Sequence, residues 1–267
     1  MPYDYTRTVV PTNKDTRPGT PSGTAEPTPP VYQLTIIGGF TDAFHFYPVI
    51  VRDSIATIYL HNNMLEYGHT YYVTIDNGVL NLADGSFQGV TKEDEWTFTT
   101  KSDMPELSDT LIVDATGKGD FNTVQGALDF IPDFNERQTV ILVNPGDYEE
   151  LVYTRNKWNV KIKGAGMADT KVHYANNEVF NPHPLTVKTN EWPGTFPSRR
   201  AAFMLDNCKD IVIEDMTIAT DLKGQAEGLL INGERIALYR VHIIGSGDAL
   251  QANGTIYMES CELDGGG

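Results

Sequence analysis

The sequence predicts an all-β protein, a small β-sandwich followed by a parallel β-solenoid with one short helix. A repeat carries the solenoid. Asn159-Val-Lys-Ile-Lys163, Ile211-Val-Ile-Glu-Asp-Met-Thr-Ile218, Ile236-Ala-Leu-Tyr-Arg-Val-His-Ile-Ile244 and Thr255-Ile-Tyr-Met-Glu-Ser-Cys-Glu-Leu263 share one shape: an alternating strand, a polar kink and a second short strand. The last three begin at Ile211, Ile236 and Thr255, 25 and 19 residues apart, which is a coil-length period. Asp206-Asn207, Asn232-Gly233 and Asn253-Gly254 punctuate them. The sandwich rests on short strand-forming runs between residues 31 and 101, separated by Asn, Gly and Asp.

In chain order, residues 1–30 read as a leader or linker. The stretch Arg17 to Pro30 is rich in Pro, Gly, Ser and Thr and offers almost nothing to bury. Within 31–101 the strand runs are Tyr32–Ile37, Ala56–Leu60, Thr70–Ile75 and Glu95–Thr100. Lys101-Ser-Asp-Met-Pro-Glu106 reads as a boundary, and 107–267 as the solenoid. Val124, Leu128 and Ile131 recur at helical spacing and Pro132 ends the run, so a helix near 121–131 is expected to cap the open end of the solenoid. Thr139–Val143 reads as a fully buried strand.

A hydrophobic content of 40% is enough for a sizeable core. The formal charge of −16, from 20 basic and 36 acidic residues, argues against nucleic acid or an anionic membrane as partner, since both need a basic face. No stretch has the ~18 apolar residues of a membrane span. Met1-Pro2-Tyr3-Asp4 lacks the basic and apolar regions of an export signal. Cys208 and Cys261 have no metal-ligand spacing and read as buried thiols.

Several chemistries lack support. There is no His-Glu-x-x-His, no cysteine pair at zinc spacing and no Gly-x-Ser-x-Gly elbow. Gly117-Lys-Gly119 lacks the rest of a phosphate loop. The six histidines are scattered, none near another candidate group in the sequence. What remains is Gln225 and, 23 residues later, Asp248, about one coil apart. Equivalent positions on successive parallel coils stack at about 4.8 Å, so the amide and the carboxylate are expected on one face. An amide donor beside a carboxylate is the minimum equipment for acyl transfer: one polarises a carbonyl, the other moves protons. The same two residues also suit plain turn roles.

Two resemblances add to this reading. Leu65–Ile75 through Trp96–Thr100 resembles the bacterial Ig-like modules that precede secreted enzymes. Gly117-Lys-Gly-Asp-Phe-Asn-Thr-Val-Gln-Gly-Ala, Val143-Asn-Pro-Gly-Asp-Tyr-Glu-Glu150, Lys163-Gly-Ala-Gly166, Gly224-Gln-Ala and Ile244-Gly-Ser-Gly-Asp-Ala-Leu250 follow the order and spacing of pectin methylesterases. That resemblance spans 111–267. It implies a right-handed parallel β-helix that hydrolyses galacturonate methyl esters of pectin, with no metal or cofactor, by two aspartates, oxyanion glutamines and an arginine. Asp248 matches the acid/base aspartate, Gln225 the first glutamine, and Thr220 sits near a substrate-touching threonine. Methylated pectin is the implied partner, and an exported location, secreted or at the cell surface or periplasm, is implied for the natural full-length protein. Gly247 departs from the glutamine usual before that aspartate. The nucleophilic aspartate is expected at about the next residue after Cys261-Glu-Leu-Asp-Gly-Gly-Gly267, roughly one coil after Asp248, so residues 1–267 alone are expected to be inactive. The competing expectation is a non-catalytic carbohydrate-binding or surface-structural solenoid, and coding sequence beyond Gly267 discriminates the two.

Overall fold

The computed structural model describes residues 33–35, 44–47, 49–52, 55–59, 65–80, 85–181, 189–190, 196–197 and 199–266. The leader expected at 1–30 lies outside the described residues. Residues 45–106 belong to one compact unit and Leu107–Gly267 to another.

In the first unit the strands are short. β1 (Gln33–Thr35) pairs with β2 (Phe44–Phe46), while β3 (Val49–Arg52) and β4 (Ile55–Ile58) form an antiparallel pair. β5 (Thr70–Tyr72) and β6 (Thr97–Thr99) form another, extended by a bridge between Ile75 and Val90. Cross-strand contacts hold this last pair in register. Tyr71 stacks on Phe98 with ring centroids 5.6 Å apart, and the Thr70 and Thr99 hydroxyls lie 2.8 Å apart.

The second unit is a parallel solenoid. It starts with β7 (Thr110–Val113), α1 (Val124–Phe130), β8 (Thr139–Val143), β9 (Gly146–Glu149), β10 (Val152–Arg155), β11 (Trp158–Lys163) and β12 (Thr170–Tyr174). The two-residue strands β13 (Thr189–Asn190) and β14 (Phe196–Pro197) pair with each other. The long bent strands β15 (Phe203–Thr220) and β16 (Leu229–Ile244) follow, then β17 (Leu250–Glu259) and β18 (Glu262–Asp264). Every pairing in the main sheet is parallel and joins a strand to its equivalent one coil away.

The coil has three legs, where the sequence repeat suggested two strands. The punctuating residues Asp206, Asn232 and Asn253 end a first leg, registered Phe203↔Leu229↔Leu250. A second leg registers Ile211↔Ile236↔Ile256, so the last coil begins its match at Ile256 and not at Thr255. The third leg stacks Tyr148, Val172, Ile218, Ile243 and Leu263.

Inward positions form apolar columns. Ile141, Ile162, Ile213, Leu238 and Met258 are registered across five coils, and the first four are essentially inaccessible. Each such side chain contributes about 1.5–3 kcal/mol by leaving water. Thr139–Val143 alternates buried and half-buried residues, so one of its faces is only partly covered and the strand is not fully buried. Cys208 is buried and its thiol is pushed up to about 12 by desolvation, whereas Cys261 is only half-buried; both are free.

The kinks between legs have a common cause. Asp215, Arg240 and Ser260 each take left-handed backbone, with φ of 58°, 53° and 55°, and fall at the bend between second and third legs. Side chains rarely adopt that conformation, and here Arg240 Nε lies 2.5 Å from Asp215 Oδ1 across the stack.

The helix closes over the first coil. Val124, Ala127 and Leu128 enter the same core as Leu111, Val113, Ile141 and Val152. Its N-terminus is held twice: the Thr123 hydroxyl accepts from Gly126 N, and the buried Glu150 carboxylate accepts from Val124 N at 2.7 Å and Gln125 N at 2.9 Å. Desolvation outweighs these bonds and raises the Glu150 pKa to about 7. The Gly117-Lys-Gly119 segment is structural: a Cβ at Gly119 would lie 2.5 Å from Ile112 O, and Asp114 accepts from Thr116 N and Asn144 Nδ2.

Candidate active site

The candidate residues Gln225 and Asp248 lie in the loops that join the third leg of one coil to the first leg of the next. Gln225 belongs to the loop between β15 and β16, Asp248 to the loop between β16 and β17. Backbone and hydroxyl hydrogen bonds stack these loops. Gly224 N donates to Ser246 Oγ at 3.0 Å, Ser246 N to Ala226 O at 2.9 Å, and Gly228 N to Ala249 O at 3.0 Å. On one side Glu178 N donates to Gln225 O; on the other Gly245 N donates to Asp264 O.

Glycines allow this close approach. A Cβ at Gly245 would lie 1.8 Å from Asp248 O, so the turn presenting Asp248 requires glycine. A Cβ at Gly247 would meet Gly224 O at 3.3 Å and Gln225 Cα at 3.9 Å. The position that departs from the expected glutamine therefore faces the Gln225 loop. A Cβ at Gly265 would come within 4.0 Å of Asp248 Cα, so the next loop continues the stack.

Gln225 is half-buried and Asp248 exposed. Among the described residues neither the Gln225 amide nor the Asp248 carboxylate is engaged in a hydrogen bond. Thr220 differs. It is buried, and its hydroxyl donates to Asn176 O at 2.6 Å. It thus fastens the start of the same loop to the preceding coil, and Asn177 Nδ2 fastens Lys223 O likewise at 2.9 Å.

Sequence reasoning missed an ion pair beside these groups. Glu227, fully buried, faces Arg200, whose Nε lies 2.8 and 2.9 Å from its two oxygens and whose Nη2 lies 2.7 Å from Oε1. Arg200 Nη1 also approaches Glu178 Oε2 at 3.5 Å. Burial works against the guanidinium charge, but Glu227, then Glu178 and Asp248, more than offset it and raise its pKa. Removing one partner of such a pair costs about 3–5 kcal/mol because the other charge stays buried. A signal existed: Glu227 interrupts the apolar run Ala226–Ile231, and a charge there requires a counter-ion.

The fold and the loop stack define a class: a parallel β-helix that presents an unengaged amide and an unengaged carboxylate from adjacent coils. Residues 110–266 match the Pectinesterase family model, and the chain belongs to the pectinesterase family. Among relatives, pectinesterase QRT1 of Arabidopsis thaliana is 29% identical over 163 residues, covering 58% of this chain and 42% of the relative. Pectinesterase 31 of the same plant is 28% identical over 158 residues, covering 57% and 49%. The chain thus spans about half the length, or less, of these relatives. Solved structures similar to it include pectin methylesterase PemA from Erwinia chrysanthemi, with TM-score 0.44, 18% identity and coverage of 59% of this chain and 49% of that one. Pectin methylesterase from carrot gives TM-score 0.47 and 18% identity, covering 60% and 53%.

Proposed function

We propose that the protein hydrolyses galacturonate methyl esters in pectin, releasing methanol, by an aspartyl-esterase route on a right-handed parallel β-helix. The observation that carries this reading is the loop stack, where Gln225 and Asp248 stand on adjacent coils with their polar groups unspent. Gln225 donates a hydrogen bond to the oxyanion that forms when the ester carbonyl is attacked, an interaction worth about 3 kcal/mol where one such donor has been removed. Asp248 protonates the departing methanol, then takes a proton from the water that cleaves the acyl-enzyme. The attacking group is a second carboxylate, whose place by resemblance is roughly one coil after Asp248. Glu227 is a poor substitute, since it is fully buried and saturated by Arg200. Thr220 reaches substrate only if it gives up its bond to Asn176 O, so its part is to hold the loop.

The unit before Leu107 is proposed as an Ig-like spacer. Methylated pectin is the partner, which places the natural protein outside the cytoplasm because the polymer is too large to enter a cell. The charge of −16 fits neither nucleic acid nor an anionic membrane surface, and among the described residues no helix is long and apolar enough to cross a membrane. The test is methanol release from methylated pectin by two polypeptides, residues 1–267 and the same chain continued through the second carboxylate and following coils. Release only by the continued chain is expected. Pectin binding without release by the continued chain would establish the non-catalytic carbohydrate-binding alternative.

A further inference from the structure

The Arg200–Glu227 pair adjoins the turn that carries Asp248, and the esterase reading gives it no task. Glu227 and Asp248 occupy the same step of successive coils, each two residues before the registered pair Leu229 and Leu250. Two backbone bonds bracket that step: Ser246 N donates to Ala226 O, and Gly228 N to Ala249 O. From the preceding coil Ala202 N donates to Glu227 O. The segment around Glu227 is thus the template on which the Asp248 turn is laid.

Stability does not account for a charge at this place. Glu227 is fully buried, and an apolar side chain of similar volume often serves a buried site as well as an ion pair, or better. What the pair controls is a guanidinium. Arg200 keeps 20% of its side chain exposed, and Glu227 holds its Nε and Nη2. Nη1 reaches Glu178 Oε2 only at 3.5 Å, a marginal contact. The charge of Asp248 also helps to raise the Arg200 pKa, so the guanidinium lies within electrostatic reach of that carboxylate. Among the described residues Asp248 nevertheless stays out of hydrogen bonds. An arginine can bind a carboxylate through two parallel bonds, and a carboxylate held in that way stays ionised and cannot serve as an acid.

We propose that Glu227 is a positioning residue for Asp248: it holds the Arg200 guanidinium back, leaving the Asp248 carboxyl open to exchange protons with substrate and water. The inference rests on the assignment of Asp248 as acid/base. Arg200 in turn balances the buried charge of Glu227. With Glu227 made neutral, the guanidinium is left to Glu178 and Asp248.

The test compares Glu227→Gln with the double variant Arg200→Gln/Glu227→Gln in the enzyme continued past residue 267, reading methanol release and Tm. The structure of the 267-residue Glu227→Gln chain is determined alongside. Glu227→Gln should lower kcat about tenfold or more with KM little changed. The double variant lacks the guanidinium and should recover kcat to within about threefold of the unsubstituted enzyme, whatever its Tm. A pair that only braces the fold predicts a double variant no more active than the single one, and that result would overturn the proposal. In the 267-residue Glu227→Gln chain, Arg200 should be hydrogen-bonded to Asp248. A guanidinium that stays away from Asp248 there would overturn the proposal without touching the esterase reading. Should Glu227→Gln fail to fold, Glu178→Gln, at a more exposed position, releases Nη1 and should lower kcat about threefold; an unchanged kcat would count against the proposal. No methanol release by the unsubstituted continued enzyme would overturn the esterase reading, and the structure of the variant chain would still decide whether Glu227 restrains the guanidinium.

Discussion

Two polar columns run along the solenoid, built from the same functional groups and put to opposite use. At the corner ending the first leg, Asn253 Nδ2 donates to Asn232 Oδ1 at 2.8 Å, and Asn232 Nδ2 reaches toward Asp206 Oδ1 at 3.4 Å. Arg155 Nε completes that column by donating to Asp206 Oδ2 at 2.6 Å. At the corner ending the third leg, the loops are stacked as tightly by backbone bonds, but Gln225 and Asp248 keep their side-chain groups free. Buried polar groups normally find partners, so a column that satisfies itself is architecture. A column that stacks through its backbone and leaves an amide and a carboxylate at the surface is the one to which the proposed function assigns the ester.

Substitutions should separate the columns. Gln225→Ala removes the proposed oxyanion donor and should lower kcat about 10²–10³-fold in the continued enzyme, with KM and Tm little changed. An equal loss appearing only in KM would assign Gln225 to ground-state binding instead. At the self-satisfied corner, Asn232→Ala orphans the amide of Asn253 and a lone pair of Asp206. It should cost about 1–3 kcal/mol in denaturant unfolding while the activity of the folded fraction is unchanged. Activity lost in step with Gln225→Ala would break the distinction.

Glu150, far along the same fold, gives the most conditional effect, one confined to a single pH window. Its carboxyl is raised from 4.5 to about 7 in the folded protein. A raised folded pKa means that its contribution is complete below about 4.5 and is lost as the pH rises through about 7. The loss is at most on the order of 3 kcal/mol, with the opposing bonds to Val124 N and Gln125 N already included. Glu150→Gln should therefore flatten stability against pH in that window. The acid-side loss, below the ordinary carboxylate range, should persist in both proteins, because Arg235 beside Asp210 and Arg240 beside Asp215 hold those carboxyls below their usual values. An unchanged slope in the window would remove Glu150 as its source.

The part of the fold legible in the sequence was the part that repeats. Alternating Ile211, Ile213 and Ile236, Leu238 announced inward columns, and Asn232 and Asn253 announced corners, because strand alternation and turn chemistry are local. The first leg was read as punctuation because Phe203–Asp206 and Leu229–Asn232 are apolar runs too short to show a period. The partners of the buried polar side chains were illegible for a different reason. Arg200 and Glu227 are 27 residues apart and His173 and Asp221 are 48 apart, so their meeting depends on coil register and on which side each loop turns. The Gln225–Asp248 relation was accessible only because its spacing is a single coil.

Asp248→Asn in the continued enzyme tests the central claim most directly, with methanol release from methylated pectin as the readout. Asparagine keeps the size and polarity of an exposed side chain but can neither give nor take the proton. The account predicts turnover reduced about 10³-fold or more, with pectin binding and thermal stability retained. Turnover above a tenth of the unsubstituted enzyme's would contradict it and show that the loop stack is not where the ester is cleaved.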